Sequence, residues 1–273
     1  MIVDGRAIAA DILSETKVRV ETLGRTPVVR AITANPSAAT LSYLRIKAAK
    51  AKDAGMQLEV VTLADTASSE EYEAALLAPG ADAIIFQLPL PKEIDTEALV
   101  NSIPVHADAD VLSATATAAF ELQEAGALVP PVVAALSEVL VRSNVSVAGA
   151  RAVVVGQGKL VGKPSATWLT QQGANVSVLT RESADTSEIQ EADILVLGAG
   201  SPGMVHPEDI TDGVVLIDAG TSEQGGQMVG DADPACAQKA AVFTPVPGGM
   251  GPIAVACLFR NVVTLLERSL QEH

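Results

Sequence analysis

The chain has 273 residues, 48% of them hydrophobic and 19% charged, enough to bury a core in two domains or in one large one. Its 33 acidic and 18 basic residues give a formal charge of −15, which argues against nucleic acid or an anionic membrane as partner. An anionic small molecule stays compatible with that charge wherever a few Lys or Arg set the local field.

Two cysteines, Cys236 and Cys257, share no metal-type spacing and fit a reducing cytoplasm. The first residues lack the basic-then-apolar layout of a signal peptide, and no apolar run approaches the roughly 20 residues needed to cross a bilayer. The expectation is a cytoplasmic protein with no nucleic acid, membrane or metal partner.

In chain order, apolar patterning predicts a helix over 5–23, a strand at 28–33 and an Ala/Lys-rich helix over 40–54. A strand at 58–63, a helix over 69–77 and a buried strand at 83–86 follow, and another helix starts after Asp95. Residues 104–127 have weak periodicity and read as a link between lobes, followed by a helix over 131–143. The second half repeats the alternation, with strands at 152–155, 176–179, 194–197 and 214–217 and a closing helix over 253–271. This alternation is that of an α/β fold with parallel strands in two lobes, with a cleft between them as the expected ligand site.

Five segments carry candidate chemistry. After the strand at 152–155 comes Gly156-Gln157-Gly158-Lys159-Leu160-Val161-Gly162, a strand–turn–helix spaced G-x-G-x-x-x-G. It reads either as a Rossmann phosphate turn with its third glycine one place late or as a tight strand–helix junction. At the end of the next strand Arg181 stands where a free ribose 2′-OH would ask for Asp or Glu, so it favours the 2′-phosphate of NADP; a solvent-facing loop arginine is the alternative.

Tyr43 and Lys47, at i and i+4 of one helix, share a face and suit a single substrate, or else belong to a solvated basic helix. Gln87-Leu88-Pro89-Leu90-Pro91 closes a buried strand where α/β proteins place ligand groups, and Gln87 offers an amide to a lysine or a substrate carbonyl. In Asp108-Ala109-Asp110 the second carboxylate suits an amino-substituted heterocycle, with capping or solvation as the plain reading of both. Thr244-Pro245-Val246-Pro247-Gly248-Gly249-Met250-Gly251-Pro252 is a stiff loop poor in side chains, suited to a ligand surface made of backbone.

Taken in order, these segments, with Ile2-Val3-Asp4-Gly5-Arg6, Asp218-Ala219-Gly220-Thr221 and Val229-Gly230-Asp231, resemble the bifunctional methylenetetrahydrofolate dehydrogenase/methenyltetrahydrofolate cyclohydrolase family, the FolD type. The resemblance runs end to end. It implies an N-terminal catalytic lobe that binds folate (1–125, completed by helix 253–273 packing back on it) and a Rossmann-like NADP-binding lobe (126–252).

It further implies that Lys47 acts on the methenyl bridge, Gln87 tunes the lysine, Tyr43 orients the folate and Asp110 holds the pterin. Leu88, Pro247, Gly248 and Gly249 would line the substrate. Gly156, Gln157 and Gly158 would meet the NADP phosphates, Arg181 the 2′-phosphate, and Thr221 would lie near the cofactor. The implied activity is one-carbon interconversion of tetrahydrofolate derivatives, feeding purine biosynthesis, in a homodimer joined through the cofactor lobes.

A monofunctional or NAD-using relative and a non-catalytic folate- or nucleotide-binding protein are the rival readings. The chain departs from the family pattern at Ala107 to Val111, where Lys-Asp-Val-Asp-Gly is common, and at Pro130-Pro131-Val132-Val133 in place of Pro-Cys-Thr-Pro. It departs again at Ile253-Ala254 in place of Met-Thr, and at Gly158 in place of serine.

Overall fold

The computed structural model describes residues 1–180 and 187–271. In chain order the first elements are α1 (Gly5–Thr22), β1 (Val28–Ala34), α2 (Ala38–Asp53), β2 (Gln57–Leu63), α3 (Ser69–Leu77), β3 (Ala83–Phe86), α4 (Thr96–Asn101), α5 (Ala114–Glu121) and α6 (Pro131–Arg142). Then come β4 (Arg151–Val155), α7 (Gly162–Gln171), β5 (Asn175–Leu179), α8 (Ser187–Gln190), β6 (Ile194–Leu197), β7 (Val215–Asp218), β8 (Ser222–Gln224), β9 (Gln227–Val229), β10 (Val242–Phe243) and α9 (Met250–Gln271). The chain divides into two compact units, Met1–Ala9 with Val132–Ala254, and Ala10–Pro131 with the chain from Val255 onward.

The unit built on Ala10–Pro131 holds a parallel sheet in the order β2-β1-β3, with Ile32 opposite both Val61 and Phe86. β1 and β3 are apolar throughout except for Arg30 and Thr33, as strands covered on both faces must be. Local chemistry sets the helix starts. Ser37 caps α2 by accepting the Thr40 N–H, Ser68 and Glu71 form a reciprocal capping box on α3, and Asp95 and Ser113 cap α4 and α5. Tyr72, Leu99 and Phe86 fill one side of the sheet.

The last helix packs back onto this unit through Arg19, whose guanidinium meets the Glu267 carboxylate at 2.6 Å. By length and composition α9 could cross a bilayer, contrary to the expectation from the sequence, but 67% of its apolar window is buried as in a core helix. Residues 104–127, read as a link, lie wholly within this unit and contain α5. Their Ala-Thr alternation hides a helix that depends on its Ser113 cap and on burying Phe120.

The other unit holds a five-stranded parallel sheet in the order β10-β7-β6-β4-β5, beside the small antiparallel hairpin β8-β9. The chain starts at β4, moves outward to β5, then returns to the opposite side of β4 for β6. That reversal opens a crevice at the carboxyl ends of β4 and β6, where doubly wound sheets receive ligands. The N-terminal segment belongs here: Val3 donates its N–H to Phe243 O at 2.8 Å and extends the sheet beside β10.

Candidate active site

α2 places Tyr43 and Lys47 on one face, four residues apart. Lys47 is only 7% exposed, which removes the solvated-helix reading for it, while Arg45 one face away is exposed. The Lys47 Nζ donates to Gln87 Oε1 at 3.1 Å and lies 4.9 Å from the centroid of the Tyr43 ring. Gln87 is held in turn by its own N–H, which donates to Ile32 O at 2.9 Å and continues the β1–β3 ladder by one residue. The Leu88–Pro89 bond after it is cis, and Leu88 is half-buried.

Burial sets the electrostatics. Desolvation lowers the Lys47 pKa below the ordinary lysine value, with the charge of Asp110 opposing. Asp110 is shifted the other way, raised first by desolvation, with Lys47 opposing and Asp108 adding to it. Although 39% of Tyr43 is exposed, its phenol is pushed up to about 12, by desolvation first and then by Asp110. The three groups are therefore biased toward their neutral forms: an amine able to accept a proton, a carboxyl that shares one, and a phenol that stays a donor.

The loop that presents Asp110 is fixed from three sides. Asp108, fully buried, accepts N–H bonds from Leu112 at 3.0 Å and Ser113 at 2.8 Å, so of the two aspartates it is the capping one. Asn261 on α9 donates from one amide to Ala109 O at 3.0 Å and Val129 O at 2.9 Å. The Thr117 hydroxyl donates to Val111 O at 3.3 Å.

Val111 itself sits at φ 56°, a left-handed backbone that a β-branched residue adopts only under strain. Val111→Gly should therefore be more stable than Val111→Ala by about 1 kcal/mol in denaturant melts, although glycine buries less. The reverse order would mean that burial of this side chain, 6% exposed, decides alone.

In the other unit Gly156 follows β4 at φ 110°, and a Cβ there would lie 2.6 Å from Gly198 O at the end of β6. A Cβ on Gly162 would lie 2.0 Å from Gly156 O, so the turn closes only with glycine at both places. Gln157 and Gly158 are exposed at its tip, and among the described residues nothing lies within 4 Å of a Cβ at Gly158. This bare backbone at the switch point, opening α7, fits the phosphates of a dinucleotide. Thr221, after β7, is exposed in the same unit. Arg181 lies outside the described residues.

Thr244 to Gly249 also belong to this unit: Val246–Pro247 is cis, Pro247 is exposed, Gly248 takes φ 108°, and Gly249 donates its N–H to Pro245 O at 2.7 Å. A Cβ on Gly5 would lie 1.9 Å from Gly249 O, which explains a glycine opening α1.

The structure thus brings Lys47, Tyr43, Gln87 and Asp110 together in one unit and sets Gly156, Gln157 and Gly158 in one turn of the other, which also carries Thr221. Sequence reading gave no role to Asn261. Its one signal was a polar residue at a buried register of an otherwise apolar helix.

A buried lysine cluster in one α/β unit and a Rossmann-type turn in the other fit the class of dinucleotide-dependent enzymes. Residues 3–110 match the family model described as tetrahydrofolate dehydrogenase/cyclohydrolase, catalytic domain, and residues 130–270 match its NAD(P)-binding domain. The bifunctional protein FolD of Heliobacterium modesticaldum is 36% identical over 96% of this chain and 94% of its own.

Among solved structures, the Trypanosoma brucei methylenetetrahydrofolate dehydrogenase-cyclohydrolase complexed with NADP and an inhibitor matches with TM-score 0.93 and 32% identity, covering 99% of this chain and 98% of its own. The NAD-dependent 5,10-methylenetetrahydrofolate dehydrogenase of Saccharomyces cerevisiae shares the fold with TM-score 0.84 at 16% identity, covering 100% and 99%. The chain belongs to the tetrahydrofolate dehydrogenase/cyclohydrolase family, with a folate substrate and a nicotinamide dinucleotide as cofactor.

Proposed function

We propose that this protein oxidises 5,10-methylenetetrahydrofolate to the methenyl cation with NADP and then hydrolyses the cation to 10-formyltetrahydrofolate. The observation that carries the reading is the buried Lys47, bonded to Gln87 and facing Tyr43, within a chain of this family.

Asp110 receives the amino-substituted edge of the pterin as a carboxylate, the bound donors offsetting the desolvation that otherwise favours its neutral form and pairing with its two oxygens. Tyr43 and Leu88 flank the folate, and in the cofactor unit Pro247, Gly248 and Gly249 present a surface without bulky side chains. When bound, the dinucleotide supplies the hydride acceptor for the methylene carbon. Gly156, Gln157 and Gly158 turn backbone N–H groups toward its phosphates, Thr221 lies beside it, and Arg181 meets the 2′-phosphate.

In the hydrolytic step Lys47 acts as the proton carrier. Water adds to the methenyl carbon and gives one proton to the neutral amine, forming the carbinolamine. The bond from that carbon to N5 then breaks as N5 takes the proton back from Lys47, and the carbinol loses its remaining proton to solvent as the formyl C=O forms. Gln87, by accepting from Nζ, fixes the direction in which the amine's lone pair points.

NADP in preference to NAD rests on Arg181, and a homodimer joined through the cofactor unit is part of the same reading. Supporting the latter, β5 is an edge strand of the five-stranded sheet and exposes Val178 by 37%.

Steady-state oxidation of methylenetetrahydrofolate with each dinucleotide tests the cofactor assignment. The expected result is a higher kcat/KM with NADP, reduced at least about tenfold by Arg181→Ala, while the value with NAD stays within about twofold. Equal losses with both would remove Arg181 from cofactor choice, and binding of folate and dinucleotide without turnover would leave only a binding protein.

A further inference from the structure

Two buried aspartates in the cofactor unit have no part in the chemistry above. Asp218, at the end of β7, accepts N–H bonds from Gly220 at 2.9 Å, Asp231 at 3.2 Å and Ala232 at 2.9 Å. Its own N–H donates to the Thr244 hydroxyl at 2.7 Å, at the start of the proline-glycine loop, and that hydroxyl donates to Asp218 O at 3.2 Å. Asp231, 0% exposed, accepts from three successive N–H groups after β6: Ala199 at 2.7 Å and Gly200 at 3.0 Å on one oxygen, Ser201 at 2.7 Å on the other.

The fit is too tight for any side chain at the neighbouring glycines. A Cβ on Gly220 would lie 2.2 Å from the Asp231 carboxyl carbon, and one on Gly230 would lie 2.1 Å from Asp218 Oδ2. Burying two carboxylates is costly, and here the cost is offset by six backbone donors drawn from loops that lack regular structure of their own.

Those loops are the ones that matter for the crevice. Residues 198–201 continue β6, and Gly198 O is the atom that Gly156 approaches so closely across the switch point. Residues 219–221 continue β7 and include Thr221. We infer that Asp231 is a positioning residue for the dinucleotide: by holding the backbone of Ala199, Gly200 and Ser201, it fixes the wall of the crevice that faces the glycine turn. Asp218 orients Asp231 through its N–H and ties that wall to the Thr244 end of the proline-glycine loop. The inference rests on the reading of this unit as the dinucleotide-binding half.

The test is the NADP dependence of methylenetetrahydrofolate oxidation, with folded enzyme checked by melting temperature. Asp231→Asn keeps one acceptor oxygen and turns an NH2 toward the Ser201 or the Ala199 and Gly200 donors. Gly220→Ala keeps the carboxylate's chemistry but pushes the group aside. Both should raise KM for NADP by about five- to twentyfold, with kcat at saturating NADP within about threefold, because bound dinucleotide restores the wall.

A residue that only stabilises the fold would lower the melting temperature and the amount of active enzyme and leave KM unchanged; that outcome in either variant overturns the proposal. If Asp231→Asn does not fold, the Gly220→Ala measurement decides. A wild-type protein whose turnover does not saturate with NADP or NAD would overturn both this inference and the reading beneath it.

Discussion

Replacing Lys47 with methionine is expected to lower hydrolysis of methenyltetrahydrofolate by at least about a hundredfold, the usual weight of a positioned acid–base group. Folding should persist. Lys47 is 7% exposed, and methionine has a similar length without the charge whose desolvation lowers the lysine pKa. The melting temperature should stay level or rise, and hydrolysis near the wild-type rate would remove Lys47 from the mechanism.

A pH dependence follows with a definite sign. The pKa of Lys47 is lowered from 10.5, so the neutral amine appears earlier in a titration than for a free lysine. Wild-type hydrolysis should rise with pH through a limb below 10.5, and the methionine variant should lack that limb. Linkage runs in the same direction: between the lowered pKa and 10.5 the unfolded chain binds the extra proton, so the lysine makes stability rise with pH there. The methionine variant loses that slope as well.

Gly162→Ala is the second large effect. The added Cβ would lie 2.0 Å from Gly156 O, 2.6 Å from Gly156 C and 3.1 Å from Gln157 N, all of them backbone atoms. No side-chain rotation relieves such contacts, so the turn must open. A cost of about 1–3 kcal/mol in stability is expected, with dinucleotide-dependent oxidation reduced by more than about tenfold because the phosphate donors are displaced. Gly158→Ala is the control: among the described residues nothing lies within 4 Å of its Cβ, and its stability should stay within about 0.5 kcal/mol of wild type. Comparable KM values for NADP in Gly162→Ala and wild type would show that the turn does not form the phosphate site.

Much of the strand and helix order was legible because buried parallel strands such as Ala83–Phe86 and Ile194–Leu197 are continuous apolar runs, and capped helices such as Ser69–Leu77 announce their starts. The pairing of Tyr43 with Lys47 was legible from spacing alone, because a helix puts i and i+4 on one face. Spacing did not show that Lys47 is buried, bonded to Gln87 40 residues away and under the charge of Asp110.

The helix Ala114–Glu121 was missed because Ala and Thr alternate there without an apolar stripe, and its Ser113 cap is a common residue. The clasp of Asp218 and Asp231 was illegible for a different reason. Each carboxylate bonds backbone N–H groups, which every residue but proline carries, so the partners leave no mark in the sequence. Only the glycines beside them, Gly220 and Gly230, record how little room there is.

The central claim is that one protein makes the methenyl cation with the help of one unit and removes it with Lys47 in the other. The direct measurement is the absorbance of methenyltetrahydrofolate over time after purified protein receives methylenetetrahydrofolate and NADP. The expected trace for wild type is a rise followed by a fall to 10-formyltetrahydrofolate, and for Lys47→Met a rise that persists apart from the slow uncatalysed decay. No rise with either dinucleotide, or an equally fast fall in both proteins, contradicts the claim.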